Sequence, residues 1–376
     1  MTDQPIAFID LQAQRARIGD KIEKAIARVL DHGKFIMGPE VAAFEKRMAD
    51  HGGTAHCVSC SSGTDALSLI LMGWGIGPGD AVIVPAMTFA ATAEVVCLTG
   101  ATPVFCDVAG DTFNMDVDSL KDAIVQAKAA GLRPKAVIPV DLFGQPADYP
   151  AICAVAHENG MKVLADAAQS FGGSLNGKPV GTWGDAAATS FFPAKPLGCY
   201  GDGGAVLTDD GDLAARMRSI RVHGQGTNKY DNVVVGLNAR LDTIQAAILL
   251  QKLDIFADEI ETRQAVAARY GELIGNIAAV PYVMPGAVSA WAQYTIRIPG
   301  RDAVQKKLQA AGVPTAVYYP VPLGDQPAYA GFPRANTGTP VSEALARDVL
   351  SLPFHPYLDA ATQERIATAL KDAARP

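Results

Sequence analysis

Short apolar runs alternate with helical patterns through the first half of the chain, and this alternation most constrains the fold. The predicted strands are 55–59, 81–84, 103–106, 136–140, 162–165, 186–190 and 205–207. The helical patterns between and before them are 18–30, 41–48, 64–72, 92–98, 117–129 and 149–159. Strands that alternate with helices form a mostly parallel sheet covered by helices on both faces. We therefore expect an α/β fold whose ligand site lies beyond the carboxyl ends of the strands.

A long helical pattern at 241–274 separates this part of the chain from the rest. It is rich in Ala, Leu, Ile, Glu and Gln and has no internal Pro, which favours one continuous helix. The remainder predicts an edge-like strand at 294–298, a helix at 303–311 and further terminal helices. We predict a large N-terminal domain at 1–254 and a smaller α+β domain at 255–376.

Charge and composition exclude several classes of function. The net charge of −7 argues against a general binder of nucleic acid or anionic membranes. The most apolar long stretch, 81–105, is interrupted by prolines, a glutamate and a glycine, so we expect no membrane span. The N-terminus has no positive, apolar leader, which predicts a cytoplasmic protein whose six cysteines are reduced. No pair of cysteine motifs has the spacing of metal ligands, so we expect no metal site.

Lys195 lies between two predicted strands, among phenylalanines, prolines and a cluster of glycines. A single lysine is usually a solvated surface charge. This composition is not typical of a surface, and an amine in a confined, partly apolar site loses its proton more easily. Such an amine can act as a nucleophile that forms a Schiff base, so Lys195 is a candidate catalytic residue.

Asp166 follows a predicted strand directly, and Gln169 comes three residues later. A buried carboxylate needs a cationic partner, which could be a protonated ring nitrogen of a ligand or an Arg or Lys of the fold. Phe89 also follows a strand and could stack on a planar ligand or belong to the core.

The turn at 61–66 leads from a predicted strand into a helix. Its glycine and small hydroxyl residues would let backbone N–H groups approach an anion, although Ser and Thr are also common helix caps. The glycines at 73–79 follow a helix and precede a strand, which is the reverse of a dinucleotide-binding fingerprint.

Several motifs in order resemble one known family. They are Ser-Gly-Thr-Asp-Ala at 62–66, Asp-Ala-Ala-Gln-Ser at 166–170, Ser-Phe-Phe-Pro-Ala-Lys at 190–195, Gly-Asp-Gly-Gly at 201–204 and Asn-Ala-Arg-Leu-Asp at 238–242. Together they resemble the sugar aminotransferases of the DegT/DnrJ/EryC1/StrS family over nearly the whole chain. The resemblance implies a three-layer α/β sandwich of the pyridoxal-phosphate-dependent transferase fold type I. It also implies a cytoplasmic homodimer with active sites shared between subunits.

The resemblance also implies a role for each matching residue. Lys195 would form the Schiff base with pyridoxal 5'-phosphate and shuttle the proton, and Asp166 would keep the ring nitrogen protonated. The other expected cofactor contacts are Gly63, Thr64, Phe89, Gln169, Ser190 and, from the partner subunit, Asn238. The expected substrate contacts are Tyr318, Tyr319 and Arg240 of the partner subunit. Tyr318 stands where many members have His, and Gly324 stands where His is frequent, so the sugar site departs from the family pattern.

For the reaction, the resemblance implies transfer of an amino group from L-glutamate, which leaves 2-oxoglutarate, to a nucleotide-linked keto-sugar. The stretches 195–200 and 241–250 are most similar to the branch that aminates carbon 3, including enzymes for UDP-2-acetamido-3-keto-glucuronate. The product would serve polysaccharide biosynthesis, such as that of O-antigen. One alternative is an aminotransferase for a TDP-, UDP- or GDP-linked 3- or 4-keto-6-deoxyhexose. Another is a sugar dehydratase of the same fold, in which relatives carry His at the lysine position.

Overall fold

The computed structural model describes residues 5–228 and 230–375. The helices are α1 (Leu11–Ile18), α2 (Lys21–His32), α3 (Pro39–Gly52), α4 (Gly63–Gly73), α5 (Ala91–Leu98), α6 (Val117–Ala129), α7 (Tyr149–Glu158), α8 (Gly211–Ile220), α9 (Thr243–Ile274), α10 (Arg301–Ala310), α11 (Pro340–Asp348) and α12 (Ala360–Ala373). The strands are β1 (His56–Cys60), β2 (Asp80–Pro85), β3 (Thr102–Cys106), β4 (Arg133–Val137), β5 (Lys162–Asp166), β6 (Ser174–Leu175), β7 (Lys178–Pro179), β8 (Ala186–Ser190), β9 (Gly204–Thr208), β10 (Ala287–Val288), β11 (Tyr294–Arg297) and β12 (Val349–Leu352).

The centre of the molecule is a seven-stranded sheet with the order β1-β9-β8-β5-β4-β2-β3. Strands β3, β2, β4, β5 and β8 pair in parallel, while β9 pairs antiparallel with both β8 and β1. The predicted α/β class with a mostly parallel, mixed sheet is therefore confirmed. The loops that follow β5 and β8 leave the same edge of the sheet because these neighbours are parallel.

Alternate residues of each strand face two separate hydrophobic cores. On β2, Ala81 and Ile83 contact one core, whereas Val82 and Val84 contact the other. Helices α3, α6, α7 and the first half of α9 complete the first core, and α4, α5 and α8 complete the second. The strands are apolar on both faces because both faces are covered, which makes the three-layer sandwich.

A third core surrounds the two-stranded sheet of β11 and β12. Tyr270 and Ile274 near the end of α9 belong to this core, together with residues of α10 and α12. Helix α9 therefore contributes to the first core at one end and the third core at the other. The division of the chain at residue 254 remains a prediction.

Two predicted elements differ from the structure. The helix expected at 18–30 is α2, but it begins three residues later, at Lys21, because Ile18 ends α1 and Gly19 takes a φ of +68° between the two helices. The apolar run predicted as a strand at 136–140 pairs at 133–137 instead, and Pro139 and Val140 continue toward the edge where the site lies. The N–H of Ile138 still donates to Ile83, so apolar periodicity alone misplaced the end of the strand.

Candidate active site

One cavity of about 430 Å³ lies beyond the carboxyl ends of β5 and β8. Its lining comes from the turns after β1, β2, β5 and β8 and from two segments of the C-terminal third of the chain. The lining residues discussed below are Ser62, Gly63, Thr64, Thr88, Phe89, Thr92, Val140, Asp166, Gln169, Ser190, Phe192, Lys195, Asp202, Gln293, Tyr318 and Tyr319. Most of the residues predicted from the sequence to form a site therefore meet in one place.

Lys195 and Asp166 both line this cavity, and the charge of each side chain partly offsets the effect of burial on the pKa of the other. Burial lowers the pKa of the Lys195 amine, and the nearby Asp166 carboxylate partly offsets this effect. Burial raises the pKa of Asp166, while the Ala168 N–H and the Lys195 charge act in the opposite direction. The amine is therefore poised to lose a proton, and the carboxylate, only 6% exposed, is poised to pair with a cation.

Thr92, on α5, holds the Asp166 carboxylate and is itself paired with Thr88. Thr92 Oγ1 donates to Asp166 Oδ2 at 3.3 Å and lies 3.0 Å from Thr88 Oγ1. The Ala168 N–H donates to the other carboxylate oxygen at 3.2 Å. Both donors to the carboxylate are neutral, so it keeps its negative charge available for a cationic group in the cavity.

The side-chain amide of Gln169 has a defined orientation. Its Oε1 accepts a hydrogen bond of 2.7 Å from the backbone N–H of Phe143. Because the carbonyl oxygen is used in this way, the Nε2 group is the end that can donate to a ligand. The site therefore presents a hydrogen-bond donor, not an acceptor, at this point of the cavity wall.

The N-terminus of α4 packs closely on the end of β8. A Cβ atom at Gly63 would lie 2.7 Å from Ser190 Cβ, so only glycine allows the approach. Ser62 caps the helix through its Oγ, which accepts from the Asp65 N–H at 3.0 Å. The cap leaves the N–H groups at the start of the helix for an anion in the cavity, with the helix dipole favouring negative charge.

Aromatic rings form the outer walls of the cavity. Phe89 is 58% exposed and its ring centroid lies 6.2 Å from that of Tyr319, which itself stands 5.9 Å from Tyr318. Burial, followed by the charge of Asp166, raises the pKa of Tyr319, so its phenol stays protonated at neutral pH. Phe192, 52% exposed, adds a further ring on the side of β8.

Two residues predicted for the site do not line the cavity of their own chain. Asn238 is exposed in a segment that returns along Val222, and Arg240 follows it by two positions. Among the lining residues that the structure describes, Lys195 is the only cationic side chain. The expected action of Asn238 and Arg240 in the partner subunit remains a prediction.

Sequence reasoning missed several residues of the wall. Thr88 and Thr92 lie in the short motif that contains Phe89, but the contact of Thr92 with Asp166 depends on the pairing of β2 and β5 through β4. Gln293 lies just before β11 and has no distinctive neighbours in the sequence. Across residues 5–228 and 230–375, no three His, Cys, Asp or Glu side chains form a group that could hold a metal ion. In the same residues, no helix is suited to span a membrane.

Comparisons with known proteins identify the class of protein to which this fold and site belong. A family profile, the DegT/DnrJ/EryC1/StrS aminotransferase family, matches residues 16–371. The chain belongs to this family of sugar aminotransferases.

Three relatives show the range of reactions in similar chains. A UDP-2-acetamido-2-deoxy-3-oxo-D-glucuronate aminotransferase of Pseudomonas aeruginosa is 50% identical over 97% of this chain and 99% of its own. A UDP-N-acetyl-3-dehydro-alpha-D-glucosamine 3-aminotransferase of Acidithiobacillus ferrooxidans is 43% identical over 97% of both chains. A dTDP-3-amino-3,4,6-trideoxy-alpha-D-glucose transaminase of Streptomyces venezuelae is 39% identical over 98% of this chain and 96% of its own.

Solved structures agree with the fold over nearly the full length. A DegT DnrJ EryC1 StrS aminotransferase from Brucella abortus is 51% identical, with a TM-score of 0.96 and coverage of 98% of this chain and 99% of its own. A putative sugar aminotransferase from Streptococcus pneumoniae, 26% identical with a TM-score of 0.89, is known in pyridoxal-phosphate and pyridoxamine-phosphate forms. Coverage there is 99% of this chain and 97% or 98% of the other chain.

Proposed function

We propose that the protein transfers an amino group from L-glutamate to a nucleotide-linked 3-keto-sugar, with pyridoxal 5'-phosphate as cofactor. The proposed acceptor is UDP-2-acetamido-3-keto-glucuronate or a close analogue. The observation that carries the proposal is that the Lys195 amine and the Asp166 carboxylate face one cavity, each with a pKa shifted by burial. The relatives that are 50% and 43% identical, both aminotransferases for UDP-linked 3-keto sugars, support the choice of acceptor.

The residues present in the cavity fit this cofactor. Its phosphate would bind at the N-terminus of α4, where the close contact of Gly63 with Ser190 leaves no room for a side chain. Gly63 and Thr64 would supply N–H groups there, and Ser190 would supply its hydroxyl. The Nε2 donor of Gln169 suits the ring hydroxyl, and Phe89 suits the ring face. When bound, pyridoxal phosphate supplies an electron sink that stabilises negative charge on the carbon that loses a proton.

Lys195 and Asp166 would divide the acid–base work. Asp166 would hold a proton on the ring nitrogen, because a buried carboxylate strongly favours a cationic partner. Lys195, with its lowered pKa, would accept a proton at Nζ from the donor amino acid and return it to the sugar carbon. The aromatic walls would exclude water around these groups, which strengthens their electrostatic interactions.

The sugar would lie between Tyr318 and Tyr319 of one subunit and Arg240 of the partner subunit in a homodimer. The cavity of the described chain contains one cation, Lys195, whereas the cofactor, the glutamate and a glucuronate all bring negative charge. Arg240 of the partner subunit would pair with a carboxylate through its planar guanidinium. Asn238 of the partner subunit would complete the phosphate site.

A second candidate acceptor is a TDP-, UDP- or GDP-linked 3- or 4-keto-6-deoxyhexose. The specific observation in its favour is that no cationic side chain other than Lys195 lines the cavity among the described residues. A sugar without a carboxylate would not need the arginine of the partner. The relative from Streptomyces venezuelae acts in this chemical class.

The test uses purified protein loaded with pyridoxal phosphate and its Lys195→Ala variant. We expect the wild type to form 2-oxoglutarate from glutamate and to aminate a UDP-linked 3-keto-sugar faster than TDP- or GDP-linked 4-ketones. Loss of Lys195 should reduce turnover by at least about 10³-fold, because the base and nucleophile are both removed.

The exposed Lys178, which lies over the Trp183 ring, provides the control variant Lys178→Ala, which should keep full activity. Amino transfer by the Lys195→Ala protein at the wild-type rate would contradict the proposed role. Release of water from the sugar without formation of 2-oxoglutarate would instead identify a dehydratase.

A further inference from the structure

Gln293 lines the candidate active site and carries an unpaired side-chain oxygen. Among the cavity-lining residues that the structure describes, it alone has a buried side-chain polar atom, Oε1, without a hydrogen-bond partner. The other lining amide, Gln169, has its oxygen paired with the Phe143 N–H. Because a buried polar group without a partner is costly, the Gln293 amide is suited to a ligand that supplies the missing contact.

The position of Gln293 is tied to that of Gln169 through one residue. The Phe143 N–H donates to Gln169 Oε1 at 2.7 Å, and the Phe143 carbonyl accepts from the Gln293 N–H at 3.3 Å. Both amides line the cavity together with Asp166, Tyr318 and Tyr319. If Gln169 contacts the cofactor, Gln293 is available to the substrate.

The backbone on both sides of Gln293 is firmly held. The Trp291 and Tyr294 rings stack with centroids 5.7 Å apart, and Trp291 Nε1 donates to Gln264 Oε1 at 2.9 Å. The Ala290 N–H donates to the Gly144 carbonyl at 2.8 Å. Because the backbone around Gln293 is held by these contacts, its side chain has little freedom to adapt to a ligand of the wrong shape. It can therefore discriminate between ligands.

The chemistry of the amide selects the kind of group it would bind. Its Oε1 accepts and its Nε2 donates, so a neutral group with one donor and one acceptor satisfies both ends. A carboxylate has acceptors only and would leave Oε1 unpaired. A secondary amide such as an acetamido group matches both ends, and its methyl group can pack on the aromatic walls formed by Tyr318, Tyr319 and Phe89.

We propose that Gln293 is a specificity-determining residue that hydrogen-bonds the acetamido group on the sugar carbon next to the one that is aminated. This inference rests on the proposed function, since it assumes that a UDP-linked amino-sugar precursor binds in this cavity. It assigns to this chain a contact that distinguishes an acetamido sugar from the corresponding hydroxyl sugar.

UDP-N-acetylglucosamine and UDP-glucose provide a direct test, because they differ only in this substituent and neither can react. Calorimetry would measure the binding of each to the cofactor-loaded wild type and to the Gln293→Leu variant, which keeps the volume but loses both hydrogen bonds. We expect the wild type to bind the acetamido sugar about tenfold more tightly than the hydroxyl sugar, the usual effect of one well-paired hydrogen-bonding group. The Leu variant should lose most of this preference while its affinity for UDP-glucose changes little.

Two controls separate the possible outcomes. The exposed Gln309, on α10 outside the cavity, gives the variant Gln309→Leu, which should behave as the wild type. As the second control, the absorbance spectrum of the bound cofactor should be the same in Gln293→Leu as in the wild type, because the proposed contact is with the sugar. An equal loss of affinity for both sugars, or an unchanged preference, would overturn the inference while leaving the proposed function intact. If the wild type binds neither sugar and aminates no UDP-linked ketone, the proposed acceptor fails together with this inference.

Discussion

At the scale of single residues, the buried carboxylate of Asp141 stabilises the loop that carries Asp166. Asp141 is fully buried and accepts hydrogen bonds from the Ala147 N–H at 2.8 Å, the Tyr149 hydroxyl at 2.7 Å and the Ser170 hydroxyl at 2.5 Å. Its own N–H donates to the Asp166 carbonyl at 3.1 Å. Asp141 therefore ties the start of its turn to both ends of the Asp166–Ser170 loop.

Replacing Asp141 with Asn tests the electrostatic cost of this arrangement. Burial raises the pKa of Asp141 from 3.8 to about 7, and its three hydrogen bonds only partly offset the effect. At pH values between these two pKa values, Asp141 holds a proton in the folded protein but has released it in the unfolded chain. The free energy of unfolding therefore falls as the pH rises through this range. We expect Asp141→Asn to destabilise the cofactor-free protein more at about pH 5 than at about pH 8.

Urea denaturation of both proteins at the two pH values measures this difference. The exposed Asp50 on α3 supplies the control, since Asp50→Asn should show no such dependence on pH. A destabilisation by Asp141→Asn that is the same at both pH values, or larger at the higher one, would show that the carboxyl titrates normally.

At the scale of elements, the contact between α4 and β8 shapes the proposed phosphate site. The two elements approach so closely that a Cβ atom on Gly63 would meet Ser190 Cβ at 2.7 Å and Ser190 Oγ at 3.1 Å. The obstacle includes the Ser190 Cα at 3.3 Å, so rotation of a side chain alone cannot relieve it. A larger residue must move the helix away from the strand.

Gly63→Ala should therefore weaken the binding of pyridoxal phosphate by roughly tenfold, or about 1.4 kcal/mol, while the protein remains folded. Absorbance titration of the cofactor-free protein gives the affinity. Gly271 in α9 is the matched control, because a Cβ there meets nothing within 4 Å. Gly271→Ala should leave cofactor affinity unchanged and raise stability by about 0.4–1 kcal/mol. Equal cofactor affinities in wild type and Gly63→Ala would contradict the proposed phosphate site at the N-terminus of α4.

At the scale of the whole molecule, several apolar side chains are exposed to water, and two predicted site residues, Asn238 and Arg240, lie outside the cavity. Phe35, Ile36 and Met37 before α3 are 46%, 48% and 42% exposed, and Val235 near Asn238 is 85% exposed. Apolar groups that remain in contact with water in one chain favour association with another. This exposure supports the proposed homodimer, in which Asn238 and Arg240 would enter the site of the partner.

Mixing two inactive variants tests whether the sites are shared. If each site combines Lys195 of one chain with Asn238 and Arg240 of the other, a dimer of Lys195→Ala with the double variant Asn238→Ala/Arg240→Ala has one complete site. Random exchange of equal amounts should then restore about a quarter of the wild-type sites, as follows from two-fold symmetry. Amino transfer after co-refolding measures the recovery. Mixtures that stay inactive, although native mass spectrometry detects mixed dimers, would mean that each site belongs to one chain.

Local patterns accounted for most of the fold. Six of the seven strands of the central sheet lie within a residue or two of their predicted positions, because apolar runs and helical periodicity reflect burial within each segment. The strand predicted at 136–140 ends at Val137 in the structure, because Pro139 has no N–H to continue the ladder and Val140 makes only an isolated bridge with Asp166. The helix predicted at 18–30 begins at Lys21 instead, because Ile18 belongs to α1 and the positive φ of Gly19 separates the two helices.

By itself, the sequence determined the layered α/β architecture and brought Lys195, Asp166 and the turn at 62–64 to one edge of the sheet. It could do so because parallel strands end together, whatever the details of packing. Only the tertiary structure decided how Thr92 meets Asp166, how Phe143 orients Gln169, and that Gln293 reaches the same cavity. These contacts join residues far apart in the chain, and no local periodicity encodes which distant side chains will meet.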